Sequence, residues 1–155
     1  MISSTHLHAM LVHFPIALLM VGFLFEVASF FYKKEFFRQS AFYLLILGML
    51  GTVVSYLAGN AAGEGMEEGS LNKAMELHEQ AATISLWLTL ATALVYTGIY
   101  FFKYKMSWPR VMAVLLFAGV IGSIARTGYL GGQLVYKHGA GVELALPDFS
   151  NPDEK

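Results

Sequence analysis

The sequence has 155 residues, of which 56% are hydrophobic and only 14% are charged, and its formal net charge is −1. A soluble domain usually carries about a quarter charged residues, and a nearly neutral chain lacks the basic surface by which proteins bind nucleic acid. There is no cysteine, which excludes disulfides, iron–sulfur clusters held by thiolates and covalently attached c-type haem.

Four apolar blocks are each long enough to cross a bilayer, which takes roughly 20 residues. They cover about 14–32, 36–59, 81–102 and 108–129. Because they lack the charged stripe of a water-facing helix, we expect an all-α fold, an integral membrane four-helix bundle. One transmembrane domain is expected over 1–146 and a flexible polar tail over 147–155. The first block has no basic segment before it and no cleavage site after it, so we interpret it as a retained helix.

Basic residues predict the orientation of the bundle. They lie after the first and third spans, at Lys33, Lys34, Arg38, Lys103, Lys105 and Arg110. These two loops share one side, which the positive-inside rule assigns to the cytoplasm. Both termini are then expected on the outer (periplasmic) side of a bacterial inner (cytoplasmic) membrane, which the chain crosses in multiple passes.

Small and polar residues form stripes at the spacing of one helix face. They are His78, Ala82, Ser85, Thr89, Thr92 and Tyr96 on the third span, Gly48, Thr52, Ser55 and Gly59 on the second, and Gly119, Gly122, Ser123 and Arg126 on the fourth. Small residues let membrane helices approach closely, so the stripes are expected to be packing seams. Each glycine also leaves room for a flat ligand.

All five histidines fall on the outer side in this topology. Three precede or open the first span (His6, His8 and His13), His78 opens the third span, and His138 follows the fourth. The first and third spans of a sequentially connected bundle lie across its diagonal. We therefore expect His13 and His78 to face each other over a central cavity, with His138 able to replace either.

Pro15 sets the start of the first helix. Its ring removes a backbone donor and disfavours helix at the residue before it, so the helix is expected to be kinked there or to begin near Phe14. Either geometry leaves His13 close to the mouth of the bundle.

Two opposed imidazoles are the usual means by which a helical bundle holds a haem iron. The first hypothesis is therefore a b-type haem protein for electron transfer, with His13 and His78 as axial ligands and His138 as an alternate. Gly59, Gly63, Gly131 and Gly132 would make room for the macrocycle. Besides the lipid bilayer, the expected partner is a periplasmic cytochrome, another redox protein or a larger membrane complex.

Two charged residues are predicted near membrane depth, where ionisable groups are costly and often functional. Arg126 would neutralise a haem propionate, a quinone-type oxygen or Glu79, or else snorkel to the outer headgroups. Glu26, near the inner end of the first span, is expected to meet Lys33 or Arg38 in a structural role.

Two alternatives use the same histidines. His13, His78 and His138 would bind zinc or copper, helped by carboxylates at Glu64, Glu67, Glu68 or Glu79. Otherwise the protein is a non-catalytic accessory subunit whose histidines hydrogen-bond within the bundle. An enzyme acting alone is least supported, because the sequence shows no nucleophile–base pair, and the glycines of YLGGQLVYKHGAG do not follow a strand as in a nucleotide fingerprint.

Three motifs carry a resemblance to a bacterial family: HAMLVHFPIALL, LHEQAA and TGYLGGQLVYKHGAGV. Over nearly the whole chain the sequence resembles the transmembrane proteins classed as domain of unknown function 2231. The resemblance implies a four-helix membrane domain and matches His13, His78 and His138 to the histidines of that family. Some members are fused to cytochrome c or other redox modules, which implies an electron-transfer context, although the family has no agreed activity.

Overall fold

The computed structural model describes residues 3–63, 71–102 and 108–142. The regular elements in these ranges are helices, namely α1 (Ser4–Leu11), α2 (His13–Tyr32), α3 (Glu35–Gly63), α4 (Asn72–Phe102) and α5 (Trp108–His138). Four helical segments are long and apolar enough to cross a membrane: α1 with α2, then α3, α4 and α5. The prediction of four spanning helices is thereby confirmed, and the predicted polar tail over 147–155 lies outside the described residues.

The helices extend beyond the apolar blocks. The third span was expected from about residue 81 and α4 begins at Asn72, while the fourth was expected to end near 129 and α5 continues to His138. Hydropathy marks only the part of a helix that sits in hydrocarbon, whereas the backbone hydrogen bonds continue through the polar turns beyond it.

The first span is divided at Val12, which separates α1 from α2. Pro15 has no N–H to donate to the carbonyl of Leu11, and its ring crowds that carbonyl. The next bond, from Ile16 N–H to the Val12 carbonyl, is long at 3.4 Å. The helix is thus interrupted one turn before Pro15 and does not begin near Phe14, and α1 packs along α3.

The bundle is closed as a ring. α2 packs on α3 and α4 packs on α5, with further contacts between α3 and α4 and between α2 and α5. The first and third spans consequently lie across the diagonal, as expected. The hydrophobic core of the ring includes five fully buried side chains: Leu19, Leu45, Ala113, Phe117 and Val120.

The polar stripe of α4 faces inward. Ser85, Thr89 and Thr92 are buried, and Thr89 and Thr92 donate their hydroxyls to carbonyls of their own helix. Ser85 instead bonds across to α5, where its Oγ lies 2.6 Å from Oγ of Ser123 and 2.9 Å from Oγ1 of Thr127. These bonds confirm the expected packing seam and join α4 to α5 without apolar driving force.

Glycines bring α2 against α3. A Cβ at Gly48 would lie 2.5 Å from Cγ of Leu19, and one at Gly51 would lie 3.2 Å from Cδ of Pro15. Gly48→Ala is therefore expected to lower the melting temperature of the detergent-purified protein, because Leu19 is fully buried and overpacking a core costs about 1–3 kcal/mol.

Gly122→Ala on α5 is the matched control. No atom lies within 4 Å of its Cβ position, and alanine is a better helix former than glycine by up to about 1 kcal/mol. The control is expected to melt at or above the wild-type temperature. Equal stability of the two variants would contradict the close α2–α3 approach.

Glu26 forms its ion pair with Arg110 of α5, not with Lys33 or Arg38 as expected. Arg110 Nε donates to Glu26 Oε1 at 3.3 Å, and Arg110 Nη2 donates to Ser29 Oγ at 2.6 Å. The side chain of Glu26 is 1% exposed. Because α2 and α5 are neighbours in the ring, a residue 84 positions away in sequence reaches this carboxylate directly.

Candidate functional site: two imidazoles held across the bundle

His8 of α1 is held against α3. Its Nδ1 donates to the carbonyl of Ser55 at 2.9 Å, and its ring lies over Gly59, where a Cβ would approach Cε1 to 2.9 Å. Since a carbonyl only accepts hydrogen bonds, the proton of a neutral imidazole must be on Nδ1. The Nε2 lone pair of His8 is then available to a ligand.

His78 of α4 is held against α5 by the same kind of contacts. Its Nδ1 donates to the carbonyl of Thr127 at 3.1 Å, and a Cβ at Gly131 would lie 3.1 Å from its Cε1. The ring is half-buried. Its tautomer is fixed for the same reason as that of His8, with the lone pair on Nε2.

The two sites are copies of one arrangement. Each imidazole donates to the carbonyl of a hydroxyl residue and rests on the glycine four positions later: Ser55 and Gly59 for His8, Thr127 and Gly131 for His78. The histidine and its carbonyl partner are 47 residues apart in the first half and 49 in the second. This similarity indicates two equivalent helical hairpins, arranged as parallel repeats about an axis along the membrane normal.

Buried positions support the repeat. Counted from His8 and His78, most of the buried residues of α2 and α4 fall at corresponding positions, and counted from Ser55 and Thr127 so do most of those of α3 and α5. The corresponding pairs are Pro15 with Ser85, Leu19 with Thr89, Gly22 with Thr92, Glu26 with Tyr96, Ala41 with Ala113, and Leu45 with Phe117.

The two rings lie at the same end of the bundle, near the start of α1 and of α4. They come from spans that lie across its diagonal. Within the described residues neither Nε2 makes a hydrogen bond. Two imidazoles with fixed tautomers and unused lone pairs thus share one layer.

The other predicted histidines lie apart from this pair. His13 is exposed, and its Nδ1 donates at 2.7 Å to the carbonyl of Ala9 in its own helical turn. His138 is the last residue of α5 and is also exposed. Of the three predicted histidines, His78 is therefore the one held against a neighbouring helix, and the roles of all three stay predictions.

The predicted glycines and Arg126 have different surroundings in the structure. Gly59 and Gly131 each touch an imidazole, so the space they leave is filled by His8 and His78 themselves. Gly132 has no atom within 4 Å of its Cβ position. Arg126 is exposed and has no ion pair or hydrogen bond with the described part of the chain, an arrangement that agrees with snorkelling.

No group of three or more histidine or carboxylate side chains that could hold a metal ion occurs within residues 3–63, 71–102 and 108–142. Three of the expected helper carboxylates, Glu64, Glu67 and Glu68, lie outside these ranges. A zinc or copper site on His13, His78 and His138 remains a prediction.

The sequence-based pairing does not include His8. A helix that is kinked at Pro15 or begins near Phe14 leaves His8 before the bundle, whereas α1 continues the span upstream of Pro15. The signal in the sequence is the repeat itself. Each half of the sequence has a Leu-His pair, which begins at Leu7 in the first half and at Leu77 in the second. A hydroxyl residue follows the histidine by 47 or 49 residues, and a glycine lies four positions after that hydroxyl residue.

Comparison with known proteins agrees with this fold. Residues 4–144 match the family described as a predicted membrane protein, domain of unknown function 2231. Neither a curated protein nor a solved structure matches the chain. The match takes in all four spanning helices and both imidazole sites, so the chain belongs to the domain of unknown function 2231 family of membrane proteins.

Proposed function

We propose that the protein binds b-type haem between His8 and His78 and serves electron transfer in the bacterial cytoplasmic membrane. The observation that carries the proposal is the pair of imidazoles from diagonal helices, each with Nδ1 bonded to a carbonyl and Nε2 unused. His78 is retained from the sequence-based hypothesis, and His8 takes the place expected for His13.

The number of ligands favours haem over a bare metal ion. A zinc site takes four ligands, at least three of them from the protein. Haem supplies four nitrogen ligands of its own, so the protein needs to provide only two axial ligands. Two imidazoles lie at this end of the bundle, and no third histidine or carboxylate completes a metal site among the described residues.

The contacts of each imidazole also suit axial ligation. A hydrogen bond from Nδ1 to a carbonyl fixes the ring orientation and raises the basicity of Nε2. Gly59 and Gly131 let both rings rest directly on the backbone of a neighbouring helix, which restricts their rotation. When bound, haem supplies one-electron chemistry, and the polypeptide positions the ligands and excludes water from their Nδ1 side.

The positive-inside orientation would put the imidazole layer on the periplasmic side. A periplasmic cytochrome, another redox protein or a larger membrane complex is then the natural electron partner, with the exposed Arg126 available to an acidic group. This assignment of sidedness and partner belongs to the proposal.

The absorption spectrum of the full chain tests the proposal. Protein purified in mild detergent from haem-replete cells is expected to show a Soret band and about one haem per chain by pyridine haemochrome assay, the stoichiometry of one imidazole pair. Elemental analysis of the same sample separates iron from zinc or copper. A colourless protein without bound metal would instead support a non-catalytic accessory subunit.

A further inference from the structure

A second candidate site lies at the opposite end of the bundle. A cleft of about 520 Å³ opens between the α2–α3 turn and the start of α5. Its polar lining consists of Ser29, Lys33, Lys34, Glu35, Arg38 and Arg110. The imidazole pair takes no part in it, so the two sites are independent.

The cleft carries an excess of positive charge. Four of its side chains are cationic and one is a carboxylate, and Glu26 behind the cleft neutralises Arg110. Glu35 is turned toward its own helix, where its Oε1 accepts from Gln39 Nε2 at 3.1 Å. Within the described residues Lys33, Lys34 and Arg38 form no ion pair.

The hairpin repeat explains the unpaired charge. Counted from Ser55 and Thr127, Arg38 of α3 corresponds to Arg110 of α5, and both line the cleft. Arg110 is compensated by Glu26, whereas the position that corresponds to Glu26 in the second hairpin is Tyr96. Of the two equivalent arginines, Arg110 thus has an internal carboxylate as its partner, and Arg38 has none among the described residues.

Arg110 is held in a fixed orientation for an external anion. Its Nε and Nη2 are bonded to Glu26 and Ser29, and its guanidinium carbon lies 4.3 Å from the ring centroid of Phe30. These contacts leave Nη1 to donate elsewhere. A planar guanidinium held in this way matches the oxygens of a phosphate.

The turn places two lysines beside the arginines. Lys33 has a φ of 44°, in the left-handed region that favours glycine. The chain therefore reverses within two residues between α2 and α3, and Lys33 and Lys34 both lie at the rim of the cleft.

Exposed aromatic residues mark the depth of the cleft. Phe31, Tyr32 and Phe36 flank the same turn and are 77%, 64% and 62% exposed. Of these, Tyr32 has the amphipathic ring that is enriched at headgroup level at the ends of membrane helices, where phosphate groups are abundant.

We propose that this cleft binds the phosphate group of an anionic phospholipid headgroup through Lys33, Lys34, Arg38 and Arg110. A soluble phosphate shares the recognised chemistry, and the experiment separates the two sources. Phosphatidylcholine lacks the net negative charge and serves as the control lipid.

The test titrates the full chain, purified in a neutral detergent, with phosphatidylglycerol, phosphatidylcholine or inorganic phosphate, and follows binding by native mass spectrometry and melting temperature. Phosphatidylglycerol is expected to bind and to raise the melting temperature, whereas phosphatidylcholine is not. Lys34→Gln with Arg38→Gln is expected to weaken this binding about 30-fold, from the roughly fivefold contributed by each headgroup-level cation.

Lys73→Gln with Lys137→Gln is the matched control, because both lysines are exposed at the other end of the bundle. It is expected to leave phosphatidylglycerol binding unchanged. Binding of inorganic phosphate alone, lost in the Lys34/Arg38 variant, would support the phosphate site and assign it to a soluble anion. Equal binding of both lipids, no binding of any probe, or indifference to the Lys34/Arg38 change would overturn the proposal.

Discussion

His8→Ala and His78→Ala are each expected to weaken binding of the proposed haem by about tenfold or more, and so to lower the haem content of the purified protein. Loss of a group that merely orients a metal ligand costs about 10–100-fold in affinity, and loss of the ligand itself costs at least as much. Each substitution also leaves a carbonyl, that of Ser55 or Thr127, without its imidazole donor. Haem per chain, measured by haemochrome assay against total protein, gives the readout.

The chain offers a close control for each histidine. His6 is exposed on the same helix as His8, and His138 is exposed at the end of α5; alanine at either position is expected to leave haem content unchanged. His13→Ala distinguishes the pairing of His8 with His78 from the pairing of His13 with His78. Full haem in this variant supports His8 as the ligand, whereas loss of haem here and retention in His8→Ala would restore the pairing of His13 with His78.

Arg110→Leu is expected to destabilise the bundle by about 3–5 kcal/mol, because it leaves the buried carboxylate of Glu26 without its ion-pair partner. Glu26 is 1% exposed, and its Oε2 has no hydrogen-bond partner among the described residues. Arg110 supplies the compensating charge through Nε. Thermal or denaturant unfolding in detergent would measure the loss.

Two further variants distinguish charge from packing. Adding Glu26→Gln to Arg110→Leu removes the unpaired carboxylate and is expected to recover most of the stability. Arg38→Leu, at the corresponding position of the first hairpin, is expected to change stability by less than about 0.5 kcal/mol, since Arg38 is exposed and unpaired within the described chain. Arg110→Leu as stable as Arg38→Leu would show that Glu26 does not depend on this ion pair.

Features encoded in short stretches of sequence were predictable. Four spans follow from hydropathy over about 20 residues, and the break in the first span follows from Pro15. The inward stripe of α4 follows from helical periodicity, because small and hydroxyl side chains on one face have no reason to face lipid.

Features that depend on residues far apart in the sequence were not predictable. The partner of Glu26 lies 84 positions away on α5, while the sequence suggested the nearby Lys33 and Arg38. The sequence favours His13 over His8. Which of the two contacts α3 depends on how the interrupted first helix is oriented, and residue spacing alone does not determine that orientation.

The similarity of the two hairpins has a consequence for how charge is placed inside the bundle. A two-helix chain with one histidine and one hydroxyl–glycine pair would complete the imidazole pair only as a homodimer, and a symmetric dimer would bury two copies of the carboxylate of position 26. One chain that holds both hairpins can differ between them: Glu26 is buried in the first, and Tyr96 is buried at the corresponding position of the second.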